Sequence, residues 1–193
     1  MKINKPIVIL IVVLCGIIAA ISFKKSDTKT VKQLKATNTP VVELSEDEKL
    51  DKLKREAFRI RGGPFVKSAE LYDKKAIINF VSSYSEYEEI APDTNLTKND
   101  YLGYWESGDA IRKALISGSV GIIKKVDFID QVQIILPYKE KVYSIDVSKV
   151  ALEDYLRTNF EDIINNWDDK FVDPFVYTDK GRHMFFDKFG KIE

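Results

Sequence analysis

The chain has 193 residues in which 30 Lys and Arg balance 30 Asp and Glu, so its formal net charge is zero and no global field draws it to nucleic acid. It carries one cysteine, Cys15, and one histidine, His183. That count excludes a disulfide scaffold, a cysteine-based metal site in the body, and any mechanism that needs two imidazoles.

Residues 1–23 form the first unit. Pro6 to Phe23 reads PIVILIVVLCGIIAAISF without a charge, and at about 1.5 Å per residue this run comes close to the ~30 Å of a bilayer's hydrocarbon core. Every face of such a helix is apolar, unlike a helix packed on a soluble core. The run reads as a signal anchor, or as a signal peptide cleaved near Ser22, where Ala20-Ile21-Ser22 offers a small-x-small site behind the lysine-bearing head. Cys15 follows Leu14 rather than a small residue and is read as an ordinary apolar position in the run, not a lipid-attachment site. Lys24, Lys25, Lys29, Lys32 and Lys35 outnumber Lys2 and Lys5, which by the positive-inside tendency would keep the body in the cytoplasm. The very short head and the ease with which long C-terminal domains are translocated argue the other way. The expectation is a single pass of the cell membrane through residues 6–23, body outside the cytoplasm, with secretion after cleavage as the alternative.

Residues 24–44 are polar and lysine-rich and read as a basic linker. Residues 45–62 read as an amphipathic helix: Ser45-Glu46-Asp47-Glu48 is a capping box, Leu50, Leu53, Ala57 and Ile60 make one apolar stripe, and Gly62-Gly63-Pro64 stops it. Residues 63–193 read as an α+β domain. Lys67 to Tyr72 and Ala76 to Ser82 suit a hairpin about Asp73-Lys74-Lys75. Thr97 opens a short helix through Trp105, and Ser107-Gly108-Asp109 caps a longer one from Ala110 to Lys125. Gln131 to Leu136 and Tyr143 to Val147 alternate apolar and polar residues on either side of Pro137 to Lys141, a second hairpin with one wet face. Val150 to Trp167 returns to helical spacing, and the tail FVYT, Asp179-Lys180-Gly181, RHMFF suggests a third hairpin. The predicted architecture is an antiparallel sheet built from hairpins with helices packed on one side.

Motifs that carry chemistry are sparse. Ser117-Gly118-Ser119-Val120-Gly121 misses the first glycine of a nucleophile elbow, and Gly62-Gly63 lacks the remaining glycines and lysine of a phosphate loop, so no cofactor is expected. Asp168, Asp169 and Asp173 lack the ordered spacing of a calcium loop, so no metal is expected. Tyr101, Tyr104 and Trp105 form an aromatic cluster, either core packing or a surface facing a protein or sugar, and they are the candidate partner site. The functional expectation is a non-catalytic binding or interaction module of the bacterial envelope, with an envelope protein or the cell wall as partner. The alternative is an envelope hydrolase with a site of dispersed carboxylates.

Overall fold

A computed structural model describes residues 43–193. The apolar run and residues 24–42 of the basic linker lie outside the described residues, and with them the expectations of an anchor and of cleavage near Ser22. Among the described residues no helix is long and apolar enough to cross a membrane.

Helix α1, Glu46–Phe58, starts where the capping box places it. The Ser45 hydroxyl accepts from the Glu48 amide at 3.3 Å and the Glu48 carboxylate accepts from the Ser45 amide at 2.8 Å. Leu53 and Ala57, one turn apart, are its buried stripe. It ends four residues earlier than the spacing predicts, because the chain turns from Arg59 toward Gly62, whose left-handed φ of 77° leads into a short 3-10 turn, Gly63–Phe65.

Strands β1, Val66–Tyr72, and β2, Lys75–Phe80, pair antiparallel through the two-residue turn Asp73-Lys74. Strands β3, Gln131–Tyr138, and β4, Lys141–Ser148, pair the same way through Lys139-Glu140. Both turns are tighter than expected from sequence. Asp73 and Lys139 take positive φ, 52° and 54°, at the first turn position. A primed turn of this kind follows the strand twist and lets pairing run out to Tyr72↔Lys75 and Tyr138↔Lys141.

The sheet is mixed rather than antiparallel. Its order is β1-β2-β3-β4-β5, with Ala76↔Val132 and Ile78↔Ile134 in parallel register between β2 and β3. The physical reason is the connection: helices α2, Tyr84–Ile90, α3, Lys98–Tyr104, and α4, Gly108–Lys125, lie between these strands, long enough to carry the chain back to the end where β2 began. The alternation read from the sequence marks burial correctly. Ala76, Ile78, Phe80, Val132, Ile134, Leu136, Ile145 and Val147 form the covered face, where α1 meets β1 and α4 meets β3 and β4. Gly118 in α4 permits that approach, since a Cβ there would lie 3.1 Å from Ile134 Cδ1.

The predicted helix from Val150 to Trp167 is two helices, α5, Lys149–Leu156, and α6, Phe160–Asn165, broken at Arg157 with φ 53°. Capping chemistry in mid-stretch causes the break. The Asn159 side chain accepts from the Asp162 amide at 2.8 Å, and the Glu153 carboxylate accepts from the Phe160 amide at 2.7 Å.

The predicted tail hairpin is helical instead. A π-helix, Asp168–Tyr177, with Pro174 inside it, leads into α7, Asp179–Phe189, and a short edge strand β5, Gly190–Ile192, that pairs with β4. Thr178 makes the junction, accepting from the Gly181 amide at 3.1 Å and donating to the Pro174 carbonyl at 2.5 Å. Phe185 then packs with Tyr155, Phe171, Phe175 and Phe189, and Phe189 with Tyr155, at ring separations from 4.7 to 5.7 Å. Arg182 is fully buried, donating to the Val176 carbonyl at 2.8 Å and to Asp109 Oδ1 at 3.3 Å, with its Nη2 3.2 Å from Asp109 Oδ2 and paired with Asp179. The guanidinium holds the Asp109 carboxyl below its ordinary range.

Candidate binding pocket

The three aromatic residues singled out in the sequence sit on α3 and its C-terminal cap. Thr97 and Asp100 start that helix with a reciprocal cap, the Asp100 carboxylate accepting from the Thr97 amide at 2.8 Å and hydroxyl at 2.7 Å. These bonds keep Asp100 below the ordinary carboxylate range. Helical spacing puts Tyr101, Tyr104 and Trp105 on neighbouring positions, and the structure brings them together. It turns two of them inward: Tyr101 and Trp105 are 2% and 1% exposed, whereas Tyr104 is 41% exposed. As a surface, the cluster therefore reduces to Tyr104.

Phe65 is the centre of the buried part. Its ring meets Tyr87, Tyr101, Tyr104 and Trp105 edge-on at 4.9, 5.3, 5.4 and 6.0 Å, and Trp105 meets Phe80 at 5.7 Å. Such pairs are worth about 0.5–1.5 kcal/mol each beyond their buried area, so the cluster is a rigid floor. The Tyr101 hydroxyl donates to the Val81 carbonyl at 3.3 Å, and burial pushes its phenol pKa up.

Above this floor lies a cavity of about 590 Å³ lined by Gly62, Pro64, Phe65, Leu96, Asn99, Asp100, Gly103 and Tyr104. That is the size range of pockets that take small organic groups, roughly 300–1,000 Å³. Its walls are largely apolar, with Asn99 and Asp100 as the polar residues, the Asp100 carboxylate being engaged in the cap at Thr97. Among the described residues the Asn99 side chain has no hydrogen-bond partner. Two glycines shape the space differently. A Cβ on Gly62 would lie 2.3 Å from Trp105 Cη2, so the bare backbone rests against the indole; a Cβ on Gly103 would meet nothing within 4 Å and would project into open space.

Gly62, Pro64, Leu96, Asn99 and Gly103 were not legible as site residues. Gly62-Gly63-Pro64 carried a signal, but one that reads equally as a helix stop. His183 lies exposed on α7, its Nδ1 2.8 Å from the Asp179 carbonyl. Asp168, Asp169 and Asp173 belong to the π-helix, and among the described residues no group of three His, Cys, Asp or Glu side chains is arranged to hold a metal ion.

A second cavity, about 480 Å³, opens at one end of the sheet among Tyr72, Lys74, Lys75, Asp130, Lys149 and Glu153. Lys149 and Lys74 approach Asp130 at 2.7 and 3.1 Å, and Lys75 approaches Asp146 at 2.9 Å. With Asp73 and Glu153 also in its lining, three lysines face three carboxylates, which leaves little field for an anionic ligand. No protein-family model, curated protein or solved structure matches this chain.

Proposed function

We propose that the chain is a non-catalytic binding module of the bacterial envelope, anchored through residues 6–23 with its body outside the cytoplasm, and that the cavity beside Tyr104 receives an apolar or aromatic group of an envelope protein or cell-wall partner. The observation that carries this reading is a rigid aromatic floor under an open, largely apolar cavity. A floor already ordered before binding loses little conformational freedom when a ligand docks.

Gly103 provides the test, because a Cβ there meets nothing within 4 Å and a larger side chain can be added to the cavity wall without displacing a neighbour at its point of attachment. Cross-linking of the full chain in membranes, followed by mass spectrometry, should capture a discrete neighbour. Gly103→Arg should reduce that capture at least about tenfold while leaving the melting temperature unchanged or slightly higher, since Gly costs a helix about 1 kcal/mol relative to better helix formers. Capture that survives Gly103→Arg and Tyr104→Ala alike would remove the cavity from the reading. The orientation has its own check: protease added to spheroplasts should digest the body, and protection that ends only on lysis would place it in the cytoplasm.

A further inference from the structure

Strand β1 is the outermost strand of the sheet on its side. Its two-residue turn fixes which backbone groups are already used. Tyr72 and Lys75 flank the turn as a hydrogen-bonded pair, and alternation makes Glu70↔Ile77 and Ser68↔Asn79 the next two. Ala69 and Leu71 therefore aim their amides and carbonyls away from β2, toward the unpaired edge, where Leu71 is half-buried and Ala69 is 8% exposed. Among the described residues no turn, loop or other strand takes them up.

Helix α1 packs beside this edge, leaving a groove of about 200 Å³ lined by Lys54, Phe58, Val66, Lys67, Ser68 and Ala69. Lys54 and Phe58 stand one turn apart on α1, and the Phe58 ring is 62% exposed. The only charges on the groove are the two lysines. Lys67 is paired with Glu86, whose carboxyl it holds down to about 2, whereas Lys54 has no carboxylate partner among the described residues.

We infer that this groove is a second docking site, distinct from the cavity beside Tyr104, that takes an extended segment of a partner protein as an added strand on β1. The segment carries an apolar residue against Phe58 and an acidic residue opposite Lys54. An extended backbone is the one chemistry that matches edge amides and carbonyls recurring every second residue, about 6.8 Å apart. The charge comes from Lys54, which nothing else in the groove offsets. Part of the edge is guarded. The register shifts between Val66 and Ser68, and Lys67 sits at the irregularity, a combination that blocks indiscriminate pairing at that end. Ser68 to Tyr72 is left regular, so the added ladder is short and its binding weak.

The test uses the full chain in detergent micelles with two labelled ten-residue peptides, Val-Thr-Glu-Thr-Val-Thr-Glu-Thr-Val-Thr and its counterpart with Lys for Glu, so that one face of the added strand carries both the apolar and the charged residues. Fluorescence anisotropy should show the acidic peptide binding about tenfold more tightly than the basic one. NMR-detected amide exchange should slow at Ala69 and Leu71 and stay unchanged at Ser68 and Glu70. Lys54→Glu, a surface change, should reverse the charge preference. Ala69→Pro, which deletes an edge donor that β2 does not use, should abolish binding with β1 and β2 still paired; if that variant does not fold, Lys54→Glu and the exchange pattern decide. No binding at millimolar peptide, equal affinity for both peptides, or protection away from β1 would overturn the inference. Protection of Ala69 and Leu71 that grows with protein concentration in the absence of peptide would overturn it too, by giving the edge to a second copy of this chain.

Discussion

Ile134→Asp should unfold the domain under conditions where the parent chain is folded, at a cost of more than about 4 kcal/mol. Ile134 is completely buried in the middle of β3, with Ile78 beside it across the parallel pairing and Ile145 across the antiparallel one. Gly118 of α4 lies directly over it. A carboxylate at this position would lose its water, find apolar carbon on every side, and have no cation within the layer to pair with. The neighbouring position gives the control, since successive side chains on a strand point to opposite faces. Gln133 is half-buried on the uncovered face, and Gln133→Thr should change stability by less than about 1 kcal/mol. Aspartate, the obvious control from sequence, is the wrong choice there. It would face Asp146 directly across the β3–β4 ladder, and like charges in such a pair add about 0.2–1 kcal/mol of their own. Urea melts of the variants should separate widely; equal losses would mean that the alternation in β3 does not mark burial.

That alternation was legible because each hairpin strand has one covered face and one wetter face, which writes a period of two into the residues themselves. The parallel pairing of β2 with β3 was not. Each strand's own pattern is the same whichever direction its neighbour runs, and the direction is decided by how the helices between Val81 and Asp130 return the chain. The α3 aromatics show a similar limit. Tyr101, Tyr104 and Trp105 have helical spacing whether they face a partner or a core, and which of them turn inward is set by Phe65 and Phe80 on other elements.

The tail misled for a more specific reason. Asp179-Lys180-Gly181 looks like a turn if the glycine is there for a left-handed backbone, yet among the described residues Gly62 is the glycine with positive φ. Gly181 is there for room. A Cβ on it would lie 1.8 Å from the Pro174 carbonyl oxygen, where the π-helix passes into α7. The competing signal was present in Thr178 as an N-cap and in Phe185, Phe186 and Phe189 at spacings of one, three and four, which is helical.

Gly62→Ala should be the costliest single-methyl change in the wall of the cavity beside Tyr104, with a loss of about 3 kcal/mol or more. Two costs combine. The left-handed conformation at φ 77° disfavours any residue with a Cβ by roughly 1–2 kcal/mol. The added methyl would also overlap the Trp105 ring, 2.3 Å from Cη2 and 2.6 Å from Cζ2, and forced overpacking of a core costs about 1–3 kcal/mol. Trp105 has little freedom to yield, since it is 1% exposed and held by Phe65, Phe80 and Tyr104. Gly103→Ala adds the same methyl to the same cavity wall but in open space, and it should be neutral or stabilising by up to about 1 kcal/mol. Tryptophan emission followed through a urea melt measures both variants, with a Trp167→Phe background isolating the Trp105 signal. Losses within about 1 kcal/mol of each other would show that the Gly62 loop does not rest on the indole. A large loss confined to Gly62→Ala, together with a shift in Trp105 emission before unfolding, would show that this loop and the aromatic floor are built as one unit, so that a ligand entering beside Tyr104 meets a wall that is already set.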